Sequence, residues 1–87
     1  MLHYKITTMT KSIKILLVDD DLKNSMLLKH FIEAEGYEVI YANNGRVGLE
    51  MYRESRPDLI LLDINMPELD GFEMARIIRQ NDKRVII

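Results

Sequence analysis

From residue 12 onward the apolar positions change period several times. Ile13, Ile15, Leu16, Leu17 and Val18 form a β-branched and leucine run stopped by three aspartates at 19–21, the pattern of a strand buried on both faces. Residues 22–35 then place Leu27, Leu28, Phe31 and Ile32 at i, i+1, i+4 and i+5, an apolar stripe of helical period, with Gly36 positioned to stop the helix. YEVIYA at 37–42 predicts a short strand, and Asn43, Asn44 and Gly45 supply turn and capping chemistry for a second helix reaching about residue 54. Gly48 inside that helix costs about 1 kcal/mol relative to Ala, which reads either as a tight approach to the sheet or as tolerance. Pro57 and Asp58 break the pattern, and Leu59, Ile60, Leu61 and Leu62 run as a third buried strand straight into Asp63. The loop INMPELDG and a helix over 71–80 follow, with Phe72, Ala75 and Ile78 on its inner side by spacing. After the polar turn NDKR, Val85, Ile86 and Ile87 open a fourth strand. Residues 1–12 are polar and threonine-rich and read as a loose leader, with Met9 an alternative start.

Strand and helix alternate with short connections and no internal repeat. This βαβ order predicts an α/β fold with a parallel sheet, right-handed crossovers and helices on both faces. Ligands of such sheets bind beyond the carboxyl ends of the strands, where strand order reverses. The acids Asp19, Asp20 and Asp63 stand at two of those ends.

Composition narrows the chemistry. A length of 87 residues with 47% hydrophobic and 30% charged side chains describes one small globular domain. The lack of Cys excludes a disulfide framework and a thiolate zinc site, and only His3 and His30 leave little for a histidine-rich one, so a hard cation with oxygen ligands is the metal option. A net charge of −2 gives no electrostatic footprint for nucleic acid or anionic lipid. Neither a membrane span nor a signal peptide is visible, so the expected compartment is the cytoplasm.

If the first and third strands are neighbours, the carboxylates of Asp19, Asp20 and Asp63 share one rim. Such crowding raises carboxylate pKa values and is relieved by a divalent cation; Mg²⁺, which accepts one or two carboxylates, waters and phosphate oxygens, suits a small acidic rim better than a calcium cage does. A carboxylate beside Mg²⁺ can attack phosphorus, giving an aspartyl phosphate. Chemistry alone leaves open which aspartate is the nucleophile, and Asp63, held between a buried strand and a structured loop, is the better-fixed candidate. Asp21 points away or begins capping the first helix.

The segment ILLVDDD at 15–21, the segment DLILLDINMPELDGFEM at 58–74 and the spacing between them resemble the receiver domain of two-component response regulators. The resemblance covers residues 13–87, and the joint occurrence of the Asp pair, Asp63 and Met-Pro-x-x-Asp-Gly is specific where either acidic motif alone is weak. It implies that Asp63 is the phosphoacceptor, Asp20 a direct Mg²⁺ ligand, Asp19 a second acid acting largely through water, and the backbone carbonyl of Asn65 a further ligand. Met66, Pro67 and Gly71 match the loop that shapes the site. It also implies a flavodoxin-like doubly wound sheet of order 2-1-3-4-5 and a phosphohistidine partner, either a histidine kinase or a histidine phosphotransfer protein. Such a domain is a phosphoprotein of phosphorelay signalling and contributes to its own phosphorylation rather than acting as an enzyme.

The resemblance stops at Ile87, before the hydroxyl residue, the lysine-bearing fifth strand and the last two helices of the family. The expectation from this is a retained metal-binding half with slow or absent phosphoryl transfer, since a missing donor of that kind costs about 10²- to 10³-fold in rate. An exposed apolar fourth strand is expected to favour self-association through that edge, or else partial disorder and weak stability. Two other functions fit parts of the pattern: a degenerate receiver that pairs without being phosphorylated, and a small aspartyl-phosphate phosphohydrolase. The latter normally carries its two acids two residues apart after the first strand, unlike the contiguous run here. Asp70 and Gly71 read as a helix start and a close backbone approach, His30 as an exposed residue of the first helix, and the scattered methionines as core or surface residues.

Overall fold

Six elements follow one another in the computed structural model, which describes residues 12–64, 66 and 69–87: β1 (Lys14–Val18), α1 (Leu22–Ala34), β2 (Glu38–Ala42), α2 (Gly45–Ser55), β3 (Leu59–Leu62) and α3 (Gly71–Arg79). Apart from exposed Ser12, the expected leader lies outside the described residues. The three strands are parallel in the order β2-β1-β3, with Leu16 opposite Ile40 on one side and Ile60 on the other. The chain therefore runs outward from β1 to β2 and crosses back to β3. The two crossovers run in opposite directions, and because such connections between parallel strands are right-handed, α1 falls on one face and α2 on the other. The doubly wound α/β architecture expected from the alternation is present.

Each helix begins at a side-chain cap. Asp21, Asn44 and Asp70 accept from the amides of Asn24 (3.2 Å), Val47 (2.9 Å) and Glu73 (2.9 Å), satisfying donors that the helix itself leaves unpaired. Gly36, at φ 96°, follows α1 and lets the chain turn left-handed into β2.

The main core lies between the sheet and the α2–α3 pair. Leu16, Val18, Ala42 and Ile60 from the strands meet Leu49, Met74, Ile78 and Val85 there, and Met66 closes the cluster from the loop before α3. Gly48 is a genuine close approach: a Cβ at that position would stand 3.0 Å from Met74 Cε and 3.1 Å from Val18 Cγ1. On α3 the buried positions are Gly71, Met74 and Ile78, whereas Phe72 is 70% exposed. The expected inner position of Phe72 is thus corrected. With Asp70 as cap, the inward stripe is i, i+3, i+7 from Gly71, and residue 72 is rotated about 100° away from it.

The opposite face is thinly covered. Ile15, Leu17 and Val39 are buried, and α1 packs there against β2, with Ser25 its only fully buried residue. The helical stripe found in the sequence is real, but Leu27 and Phe31 are 57% and 60% exposed. A small serine at the contact brings α1 close to the sheet while the larger apolar residues project past it. β3 is only half-buried at Leu59, Leu61 and Leu62. The fourth strand is reduced to a single parallel bridge between Leu59 and Ile86, in which the Ile60 amide donates to the Ile86 carbonyl at 2.7 Å.

Candidate metal centre

The carboxyl ends of β1 and β3 are fixed side by side by backbone bonds that continue the ladders one step past the strands. The Asp19 amide donates to the Ala42 carbonyl at 3.1 Å and the Asp63 amide to the Val18 carbonyl at 2.9 Å. The three acids singled out from the sequence consequently converge: one carboxylate oxygen from each of Asp19, Asp20 and Asp63 lies within 4.8 Å of the others. Asp19 and Asp63 are half-buried, and Asp20 is exposed.

Local contacts hold Asp19 in place. Its Oδ1 accepts from the Asp21 amide at 2.9 Å, and its carbonyl accepts from the Tyr41 hydroxyl at 2.8 Å. Tyr41 escapes sequence reasoning, because its role depends on the register that sets Leu17 opposite it. Burial, followed by the proximity of Asp63 and Asp20, pushes the Asp19 carboxyl above the ordinary aspartate range, and the Asp21 amide pulls partly the other way. A carboxylate crowded in this way is stabilised by an added positive charge. The donor set is all oxygen, which fits a hard divalent ion such as Mg²⁺. Asp21 faces away from this cluster: its two carboxylate oxygens accept from the Asn24 backbone and side-chain nitrogens.

Gly71 sets the loop behind Asp63. A Cβ there would stand 2.6 Å from the Asp63 carbonyl oxygen and 2.7 Å from Ile64 Cα, so only glycine lets the start of α3 close against this backbone. Asn65 and Pro67, the other loop positions named from the sequence, lie outside the described residues. An open groove of about 400 Å³ between α1 and β3, floored by Leu17, Leu28 and Leu61, leads up to Asp19 and Asp63. An incoming group thus has access to both carboxylates.

The family model described as response regulator receiver domain matches residues 15–87. Among curated relatives, the polar-differentiation response regulator DivK of Brucella anthropi is 43% identical over 69 residues, covering 79% of this chain and 56% of that protein. Among solved structures, TrrA of Thermotoga maritima in complex with Mg(2+)-BeF aligns with a TM-score of 0.78 at 41% identity, over 82% of this chain and 62% of that one. TrrA in complex with the histidine kinase ThkA gives 0.76 at 41% identity, over 82% and 61%. The chain spans less than two thirds of the length of these relatives.

Proposed function

The chain belongs to the response regulator receiver family, a signalling module of two-component systems, and we propose that it takes a phosphoryl group from a phosphohistidine partner onto Asp63. The observation that carries this reading is the convergence of Asp19, Asp20 and Asp63 at adjoining strand ends, with their ligand atoms within 4.8 Å. In the transfer, a carboxylate oxygen of Asp63 attacks phosphorus. An O–P bond forms as the P–N bond of the phosphoimidazole breaks, and the bonding pair returns to the ring nitrogen. The product is an acyl phosphate on Asp63.

Asp19, Asp20 and Asp63 are the residues that would hold Mg²⁺, with the Asn65 carbonyl added by family resemblance. Bound there, the ion screens the repulsion between a carboxylate nucleophile and phosphoryl oxygens. The protein's own part is positional: the Asp21 amide and Tyr41 hydroxyl fix Asp19, and Gly71 lets the α3 start brace the Asp63 backbone. The relative TrrA is held by a histidine kinase in its complex, which supports a partner of that class here. No described helix is long and apolar enough to cross a membrane, and we read the site of action as cytoplasmic. The test is label transfer from an autophosphorylated histidine kinase. Hydroxylamine-sensitive label on the chain, absent from Asp63→Ala, is the expected result; label that survives that substitution overturns the assignment.

A second reading, self-association, is favoured by the exposed apolar residues Leu27, Phe31 and Ile86, which are 57%, 60% and 64% exposed. Ile86 lies beside β3 with one bridge, so the expected fourth strand presents an edge that a second copy can extend. Sedimentation velocity over a dilution series is expected to show a concentration-dependent dimer. A monomer at every concentration contradicts this reading and leaves the phosphoacceptor reading untouched.

A further inference from the structure

The amino end of the sheet carries a cavity of about 810 Å³, at the opposite pole from the aspartate cluster. It lies between the turn that follows α2 and the turn that follows α3. We propose that this cavity binds a phosphorylated small molecule of nucleotide size.

The cavity is rich in cationic side chains. Arg53, Arg56 and Arg84 line the cavity together with Asp58 and Asp82, an excess of arginine in a chain whose net charge is −2. Both carboxylates are already committed to the framework. Asp58 Oδ2 accepts from the Lys14 amide at 2.9 Å. Asp82 Oδ2 accepts from the Tyr52 hydroxyl at 2.7 Å, and its Oδ1 accepts from the amides of Arg84 (2.9 Å) and Val85 (3.1 Å). Among the described residues, none of the three guanidinium groups has a carboxylate within ion-pair distance or a hydrogen-bond acceptor. Three uncommitted forks around one cavity suit an anion with several oxygens, and guanidinium matches phosphate geometry in bidentate fashion.

Size and lining define the rest of the ligand. The volume falls within the range of small-molecule sites, roughly 300–1,000 Å³, well beyond what a lone phosphate fills. Buried Pro57 and Val85 and the half-buried ring of Tyr52 give the cavity an apolar side for a ring system. The Tyr52–Asp82 bond ties its two walls together before any ligand arrives, and the Arg79 donation to the Asp82 carbonyl (3.1 Å) braces the second wall.

The test is calorimetric titration of the whole chain with GTP, inorganic pyrophosphate and guanosine, in EDTA so that no metal bridges the nucleotide to the acidic pole. Saturable binding of GTP is expected, with guanosine at least about tenfold weaker and Arg53→Gln and Arg84→Gln each weakening GTP about tenfold or more. Both arginines are exposed, so circular dichroism of the variants should match the parent. GTP binding tighter than pyrophosphate supports a site of nucleotide size, and equal affinities overturn it by showing that the apolar side contributes nothing. No saturable binding at millimolar ligand, full affinity in both arginine variants, or loss of binding in Asp63→Asn overturns it. Self-association that the arginine variants abolish and GTP does not displace overturns it too, by assigning the cavity to an acidic protein surface.

Discussion

The Asp63 amide donates to the carbonyl of Val18 at 2.9 Å, and this single bond ties the end of β3 to the residue immediately before Asp19. It makes the acidic cluster a property of the sheet rather than of a loop, because Asp19 and Asp63 can separate only if the β1–β3 ladder opens. A site on such an edge is preorganised, and its carboxylates repel one another, a repulsion that a bound cation would relieve.

Removing one charge should therefore have opposite effects on stability and on binding. In metal-free buffer, Asp19→Asn is expected to raise the thermal midpoint, since burial and the neighbouring Asp63 and Asp20 disfavour its ionised form. The same variant should lose about tenfold or more in Mg²⁺ affinity, read by calorimetry. A lower midpoint without metal, or unchanged Mg²⁺ affinity, contradicts the crowding argument.

Gly71→Ala tests how closely the loop braces the site. The added methyl would fall 2.6 Å from the Asp63 carbonyl oxygen, and backbone cannot rotate away as a side chain can. A loss of about 1–3 kcal/mol in denaturant unfolding is expected, together with weakened Mg²⁺ binding because the displaced backbone carries Asp63. Parent-like stability and affinity would show that the α3 start is not what holds Asp63.

Ser25 is fully buried at the contact of α1 with the sheet, and among the described residues its hydroxyl has no hydrogen-bond partner. Ser25→Ala removes a desolvated polar atom at nearly constant shape and is expected to stabilise the chain by about 1 kcal/mol. A destabilised variant would mean that the hydroxyl is satisfied in solution.

The Tyr52–Asp82 hydrogen bond predicts two limbs of a pH profile. The bond holds the Asp82 carboxyl below its ordinary value of about 3.9, with the Arg84 and Val85 amides adding to the effect. Its stabilisation is thus complete above that value and lost as pH falls through the lower folded one. Burial, then the same bond, raises the Tyr52 hydroxyl above about 10. That contribution is present below the ordinary tyrosine value and lost as pH rises through the folded one. Tyr52→Phe should flatten both limbs in chemical denaturation; an unchanged acid limb would remove the bond from the account.

The legible part of the fold was what strand period and caps determine. The Ile15–Val18 run, the caps Asp21, Asn44 and Asp70, and the LILL run ending in Asp63 all have local causes, and the doubly wound topology follows from their order. The meeting of the three acids was legible for the same reason, since strand ends in a parallel sheet share one rim. What sequence could not supply was rotation and register. Phe72 has the composition of a core residue and sits outside because Asp70 fixes the phase of α3. The α1 stripe has helical period, yet period does not say which part of a stripe finds a partner. Tyr41 acts on Asp19 through cross-strand register, and the arginine-lined cavity joins residues from two turns far apart in the chain.

The central claim is most directly tested by intact-mass spectrometry of the chain after incubation with Mg²⁺ and acetyl phosphate. A mass increase of one phosphoryl group in the parent, lost in EDTA and absent from Asp63→Asn, is the predicted result. The same increase in Asp63→Asn, or none in the parent while Mg²⁺ binds the acidic cluster, would contradict the assignment of Asp63 as phosphoacceptor.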